Sequence, residues 1–208
     1  ESAFTALKRK TVNQSWTGTA LDYATRQVQQ INWQYLSFGL DKTIDGYGFV
    51  QGSNPPVKYH LKGTFNLEGT VYVEKKFENG MATVRYDGRV VGPNRIVGEY
   101  TVITGMPQRG SFEMGCGGSH WEGTATDDTT KEVTKIGLTM SITAEGIFGI
   151  NYTPETGLYL IDGFYDQGNS FVKVKIVSFL INDIRKYKGC VRLGPPKVMV
   201  GTYEDKIS

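Results

Sequence analysis

Residues 16–22 read WTGTALD and residues 121–127 read WEGTATD. Five of the seven positions agree: Trp16 with Trp121, Gly18 with Gly123, Thr19 with Thr124, Ala20 with Ala125 and Asp22 with Asp127. The second string begins 105 residues after the first, about half of the 208-residue chain. Agreement continues outward. Gly63 matches Gly163, and Val71 and Val73 match Val172 and Val174. Tyr86-Asp87-Gly88 matches Tyr187-Lys188-Gly189, Gly92-Pro93 matches Gly194-Pro195, and Gly98-Glu99-Tyr100 matches Gly201-Thr202-Tyr203. The offset drifts to smaller values only where loops are expected, and insertions cost little there. Repetition over the whole length implies a duplicated unit of about 100 residues. The division falls at the Gly-rich run around Cys116, giving a first repeat over 1–115 with an N-terminal lead-in and a second over 116–208.

Within each repeat the apolar period is two. Leu36, Phe38 and Leu40 alternate with small or polar neighbours, as do Val71 and Val73, Val84 and Tyr86, and Ile96 to Val102. That spacing places one face of a strand in a core. Turn chemistry separates the runs: Asp45-Gly46, Asn54-Pro55-Pro56, Glu78-Asn79-Gly80 and Gly92-Pro93-Asn94. One segment departs from the pattern. Leu21, Ala24, Val28 and Ile31 have helical spacing, which predicts a short helix over 23–33. Sequential hairpins give an all-β antiparallel meander, and closure into barrels removes its edges. Two small β-barrels or half-barrels fit the length better than one wide ring, which would leave a water-filled lumen; a continuous sheet shared by the copies and a swapped dimer stay open.

The two copies end differently. The first closes with Gly110-Ser111-Phe112-Glu113-Met114, whereas the second stops at Ser208 without such a strand. Residues 3–12 are expected to supply the missing neighbour.

Composition narrows the function. Charged residues are 21% and the formal net charge is +2, which offers no electrostatic case for nucleic acid. No apolar run approaches the length that spans a membrane as a helix, and ESAFTALKRK lacks the apolar core of a secretory signal. Cys116 and Cys190 occupy unmatched places in the repeats and read as ordinary thiols. His60 and His120 have no partner at metal-ligand spacing, and no phosphate-binding loop, dinucleotide fingerprint or nucleophile elbow occurs. Neither a metal, a cofactor nor a catalytic set is therefore expected.

The order of these features resembles the calycin superfamily of lipocalin and avidin-like barrels. Trp16 and Gly18 open the meander; Gly63 and Phe65, Val71 to Lys75, Tyr86 and Gly88, and finally Arg95, Ile96, Gly98 and Tyr100 follow. The resemblance covers 16–114 well and 121–203 more weakly. It implies a small closed barrel and names no ligand.

Residues shared by the copies, Trp16, Gly18 and Asp22 with Trp121, Gly123 and Asp127, read as scaffold markers, with the two aspartates accepting backbone N–H groups in turns. Chemistry belongs where the copies differ. Trp33, Tyr35, Tyr47, Phe49 and Tyr59 have smaller counterparts in the second copy, and Arg85 offers a cation for an anionic group. Together they suggest a non-catalytic binding protein that holds a small hydrophobic or planar ligand in an aromatic-lined barrel cavity. The competing readings are a self-associating interaction protein built from solid barrels with exposed edges, and an isomerase or lyase working in a cavity beside a buried carboxylate.

Overall fold

A computed structural model describes residues 10–180, 183–192 and 198–207. The Gly194-Pro195 match and residues 3–9 of the lead-in lie outside the described residues. Among the described residues every element is a strand, and all pairing is antiparallel. The first unit comprises β1 (Gln14–Asp22), β2 (Val28–Phe38), β3 (Thr43–Phe49), β4 (Lys58–Phe65), β5 (Thr70–Phe77), β6 (Thr83–Val90), β7 (Arg95–Thr104) and β8 (Arg109–Gly115). These strands follow one another around a closed barrel, and β8 returns to pair with β1. The second unit comprises β9 (Ser119–Thr126), β10 (Val133–Thr143), β11 (Gly146–Thr153), β12 (Gly157–Asp166), β13 (Phe171–Ser178), β14 (Asp183–Arg192) and β15 (Val198–Ile207). They form a seven-stranded meander sheet in sequence order.

The duplication extends to single hydrogen bonds. In the turn after β1, Asp22 Oδ1 accepts the N–H groups of Ala24 and Thr25 at 2.7 and 3.3 Å. After β9, Asp127 Oδ1 accepts those of Thr129 and Thr130 at 2.8 and 2.7 Å. Arg26 and Lys131, the matching fifth residues, both take a left-handed φ, 62° and 61°. Farther along, Gly88 pairs with Gly98 and Tyr86 with Tyr100; Gly189 pairs with Gly201 and Tyr187 with Tyr203.

Three local expectations are corrected. Residues 23–27 form the Asp22 turn and Val28–Phe38 is the strand β2, so no helix covers 23–33. The four spaced residues fall in β1, the turn and β2, and a spacing that spans a turn reports no common face; Ile31 packs against the first core from its strand. Asp45-Gly46 lies within β3 and not in a turn; the chain reverses at Gly39–Lys42 instead. Gly46 serves close approach between strands, because a Cβ there would meet the Tyr35 carbonyl. Finally, residues 10–12 do not join the open edge of the second unit. Lys10 bridges to Gly39, the Thr11 N–H donates to the Phe38 carbonyl at 2.8 Å, and the Val12 N–H donates to Asp162 Oδ1 at 3.3 Å. The lead-in thus wedges between the end of β2 and the face of β12.

The barrel interior is filled by side chains. Trp16, Trp33, Leu36, Phe38 and Ile96 show no exposed surface, and Trp33 stands edge-on to Tyr86 at 5.1 Å between ring centroids. One end of the barrel is closed by the second unit. Phe148 on β11 packs against Trp16 and stacks on Phe38, with centroids 6.1 and 5.6 Å away. Ile150, Leu158 and Leu160 join the same core. The opposite faces of β11 and β12 supply Ile147 and Ile161 to a second core with Met140, Val172 and Val174. Both strands are therefore buried on both sides, which explains their near-continuous apolar sequences.

Asn94 fastens the two units. Its N–H donates to the Ile150 carbonyl, its Oδ1 accepts the Ile150 N–H, both at 2.8 Å, and its Nδ2 donates to the Gly117 carbonyl. Its left-handed φ of 57° suits Asn better than most residues.

Candidate functional site

β2 and β3 show how the aromatic candidates are distributed. An alternating strand would send Trp33 and Tyr35 to the same face. The register between β1 and β2 shifts between Trp16, opposite Trp33, and Gln14, opposite Leu36. This bulge accommodates Gln34 and Tyr35 as an extra step, so Trp33 and Leu36 both turn inward and Tyr35 turns out.

Tyr59 fixes the bulge from inside. Its hydroxyl donates to the Asn32 carbonyl at 3.0 Å and accepts the Gln34 N–H at 3.2 Å. To reach them the ring crosses beneath β3 at Gly48, where a Cβ would lie 2.1 Å from the hydroxyl oxygen. From the outside, Gln34 Oε1 accepts the Phe49 N–H at 2.7 Å. Burial raises the Tyr59 pKa, partly offset by the Gln34 hydrogen bond.

The result is an aromatic patch on the outer wall. Tyr35 and Tyr47 are cross-strand partners whose rings stack at 4.8 Å and 27°. Phe49 stands edge-on to Tyr47 at 6.5 Å, and the Lys58 ammonium lies 5.1 Å from the Tyr47 ring centroid. All three rings remain more than a third exposed. His60, the partner of Tyr47 on β4, leads into an open groove of about 770 Å³ lined also by Lys62, Thr64, Tyr72, Glu74 and Lys76. His60 Nε2 pairs with Glu78 at 2.7 Å, and the Tyr72 hydroxyl donates to Glu74 at 3.2 Å.

The six sequence candidates therefore divide. Tyr35, Tyr47 and Phe49 come together on the outer wall. Trp33 and Tyr59 are interior, with 0% and 2% exposure. Arg85 lies on the outer wall at β6, opposite Glu74, and forms a surface ion pair with Asp87 at 3.0 Å. In the sequence His60 reads as a structural histidine, and Lys58 and the groove beside it carry no signal beyond the alternation in β4 that gives them a common face.

The remaining titratable groups have local roles. Asp22 and Asp127 have lowered pKa values, caused first by the Ala24 N–H and the Thr130 N–H respectively. Burial pushes the free thiol of Cys116 up to about 12, and Cys190 is also free. His120 contacts Thr139 and Glu122 on the exposed face of β9. Among the described residues no group of three His, Cys, Asp or Glu side chains could hold a metal ion. Asp162, the one buried carboxylate among them, is engaged by the Val12 N–H.

No protein-family model matches the chain, and no curated protein or solved structure matches it.

Proposed function

We propose that the protein is a non-catalytic binding protein of calycin-like architecture that holds a small planar ligand on the outer wall of its first barrel. The observation that carries this is the stacked Tyr35–Tyr47 pair, kept exposed by a bulge that an interior tyrosine locks in place. A flat apolar ring gains by stacking on such a surface, and a rigid platform loses little entropy on binding. Lys58 beside the rings favours a ligand with an anionic edge, and the adjoining groove supplies hydroxyl, carboxylate and ammonium groups for a polar one. The calycin-like reading is supported by the eight-stranded meander opened by Trp16-x-Gly18. The packed interior positions, Trp33 and Tyr59 among them, argue for an outer site over a central cavity.

The test is titration of the full chain with anilinonaphthalene sulfonate, a flat anionic dye. Saturable binding that weakens about tenfold in Tyr35→Ala/Tyr47→Ala, with an unchanged melting temperature, is the expected result. Equal binding by the double variant would refute the outer-wall site.

A self-associating interaction protein is the second reading. It is favoured by β9 and β15, each of which pairs on one edge only among the described residues.

A further inference from the structure

On the outer wall of the first barrel the rings run into a field of charge. Cross-strand pairing sets Tyr35 beside Tyr47, Tyr47 beside His60 and His60 beside Lys76, one residue on each of β2 to β5. The next outward-facing row carries Asp45, Lys62, Glu74 and Arg85. Both rows border the open groove of about 770 Å³. Gly63 lines it too: a Cβ there would collide with the Tyr72 carbonyl, so β4 and β5 draw closer than side chains would permit.

The carboxylates beside these rows are engaged. Asp45 holds Lys10 at 2.8 Å, Glu78 holds His60 at 2.7 Å and Asp87 holds Arg85 at 3.0 Å, while Glu74 accepts the Tyr72 hydroxyl at 3.2 Å. Lys62 and Lys76 are left over. Both are exposed, and among the described residues neither ammonium forms an ion pair. They sit diagonally across the β4–β5 ladder, Lys62 opposite Glu74 and Lys76 two residues farther on, roughly 7 Å apart. Two unpaired ammonium groups at one groove raise the local potential for an anion. Along the other row, Tyr47 and Lys76 are two strand spacings apart, about 10 Å.

We propose that the ligand of this wall is a nucleoside polyphosphate, with its base on the Tyr35–Tyr47 pair and its phosphates between Lys62 and Lys76; the proposal rests on the outer-wall reading above and names its ligand class. The two halves of the site select it together. A neutral sugar would stack on the rings and leave both ammonium groups idle. An inorganic anion would use the ammonium groups and leave the rings idle. An acidic group fixed directly to a ring meets Lys58 beside Tyr47 but stops short of Lys76. A sugar and a short phosphate chain bridge that distance, and Thr64 and Glu74 in the groove offer partners for the sugar hydroxyls. Stacking on tyrosine accepts any base, so the rings set the class and not the base. The net charge of +2 fits a small anion, since a long polyanion needs an extended basic surface.

The probe is ADP, titrated calorimetrically into the full chain and, separately, into the chain loaded with anilinonaphthalene sulfonate. Saturable ADP binding that displaces the dye is expected, with adenosine and inorganic pyrophosphate each binding at least tenfold more weakly. Lys62→Ala/Lys76→Ala is expected to weaken ADP about tenfold or more at an unchanged melting temperature, because both side chains are exposed. Tyr35→Ala/Tyr47→Ala is expected to weaken it comparably. A dye that binds at the tyrosines but is not displaced by ADP overturns this proposal and leaves the outer-wall reading standing; a dye indifferent to the tyrosines overturns both. Equal ADP binding by the double lysine variant overturns the proposal. So does pyrophosphate binding as tightly as ADP, which would make the groove a plain anion site. Oligothymidylate of eight residues binding a hundredfold more tightly than ADP would also overturn it, by assigning the wall to single-stranded nucleic acid.

Discussion

Lys75 is the one buried cation among the described residues, 9% exposed and directed into the first barrel. Its ammonium lies 4.1 Å from the Tyr59 ring centroid and 5.2 Å from that of Phe77, and burial lowers its pKa from 10.5 to about 8. A shift of that size corresponds to a cost of roughly 3 kcal/mol for carrying the charge in the folded state at neutral pH. The attraction to the two rings returns about 1 kcal/mol. Lys75→Met keeps the apolar stem and removes the charge, so a net gain of about 2 kcal/mol is expected at pH 7. The sign with pH is equally definite. Between pH 8 and 10 the unfolded lysine holds its proton while the folded one has released it, so wild-type stability rises across this window. The rise should be about 2 kcal/mol and should be missing from Lys75→Met. Urea unfolding of both chains at half-unit pH steps measures both effects. A destabilised Lys75→Met with the same pH profile as wild type would refute the reasoning, since it would mean that the ammonium is paired rather than merely desolvated.

Other consequences concern the lock, the fastening and the turns. Tyr59→Phe removes the hydroxyl's bonds to the Asn32 carbonyl and the Gln34 N–H and should cost about 2 kcal/mol in urea unfolding. Gly48→Ala should disturb the same bulge through its contact with the Tyr59 hydroxyl, visible as loss of the Tyr35–Tyr47 ring-current shifts by NMR. Asn94→Ala strands the buried Ile150 N–H and places Ala in a left-handed conformation, for a cost of about 3 kcal/mol measured the same way. Asp22 and Asp127, with pKa values held below the usual 3.8, contribute stability that is full above that value and lost as pH falls through their folded pKa. The double Asp→Asn variant should flatten the acid limb of thermal melts below pH 4.

The architecture was legible because it was written twice. WTGTALD and WEGTATD, Gly63 and Gly163, and the Tyr-x-Gly pairs located strands at matching places, and the alternation of Val71 and Val73 or Tyr86 and Gly88 gave their inward faces. Two kinds of feature were hidden. The bulge at Gln34 and Tyr35 breaks the period of two without any turn residue to announce it, so Trp33 and Tyr35 read as neighbours on one face although they end on opposite sides of the wall. Long-range partners were hidden as well. Nothing local in Gly92-Pro93-Asn94 reveals that Asn94 holds Ile150, and nothing in β11 and β12 reveals that Phe148 caps the barrel on Trp16 and Phe38. The apparent helix over 23–33 failed for the complementary reason: its apolar spacing ran across the Asp22 turn, from β1 through exposed Ala24 and Val28 to Ile31 on β2, which packs against the first core.

A closed first barrel beside a second sheet whose β9 and β15 each pair on one edge only, among the described residues, is tested most directly by amide hydrogen exchange on the dilute chain. Amides of β1 directed toward β8 should be protected by roughly a thousandfold or more, as buried ladder amides are, whereas the amides of β9 and β15 not bonded to β10 and β14 should exchange at nearly the unstructured rate. Equal protection of β1 and β9 on both of their edges would contradict the closed first barrel beside an open second sheet.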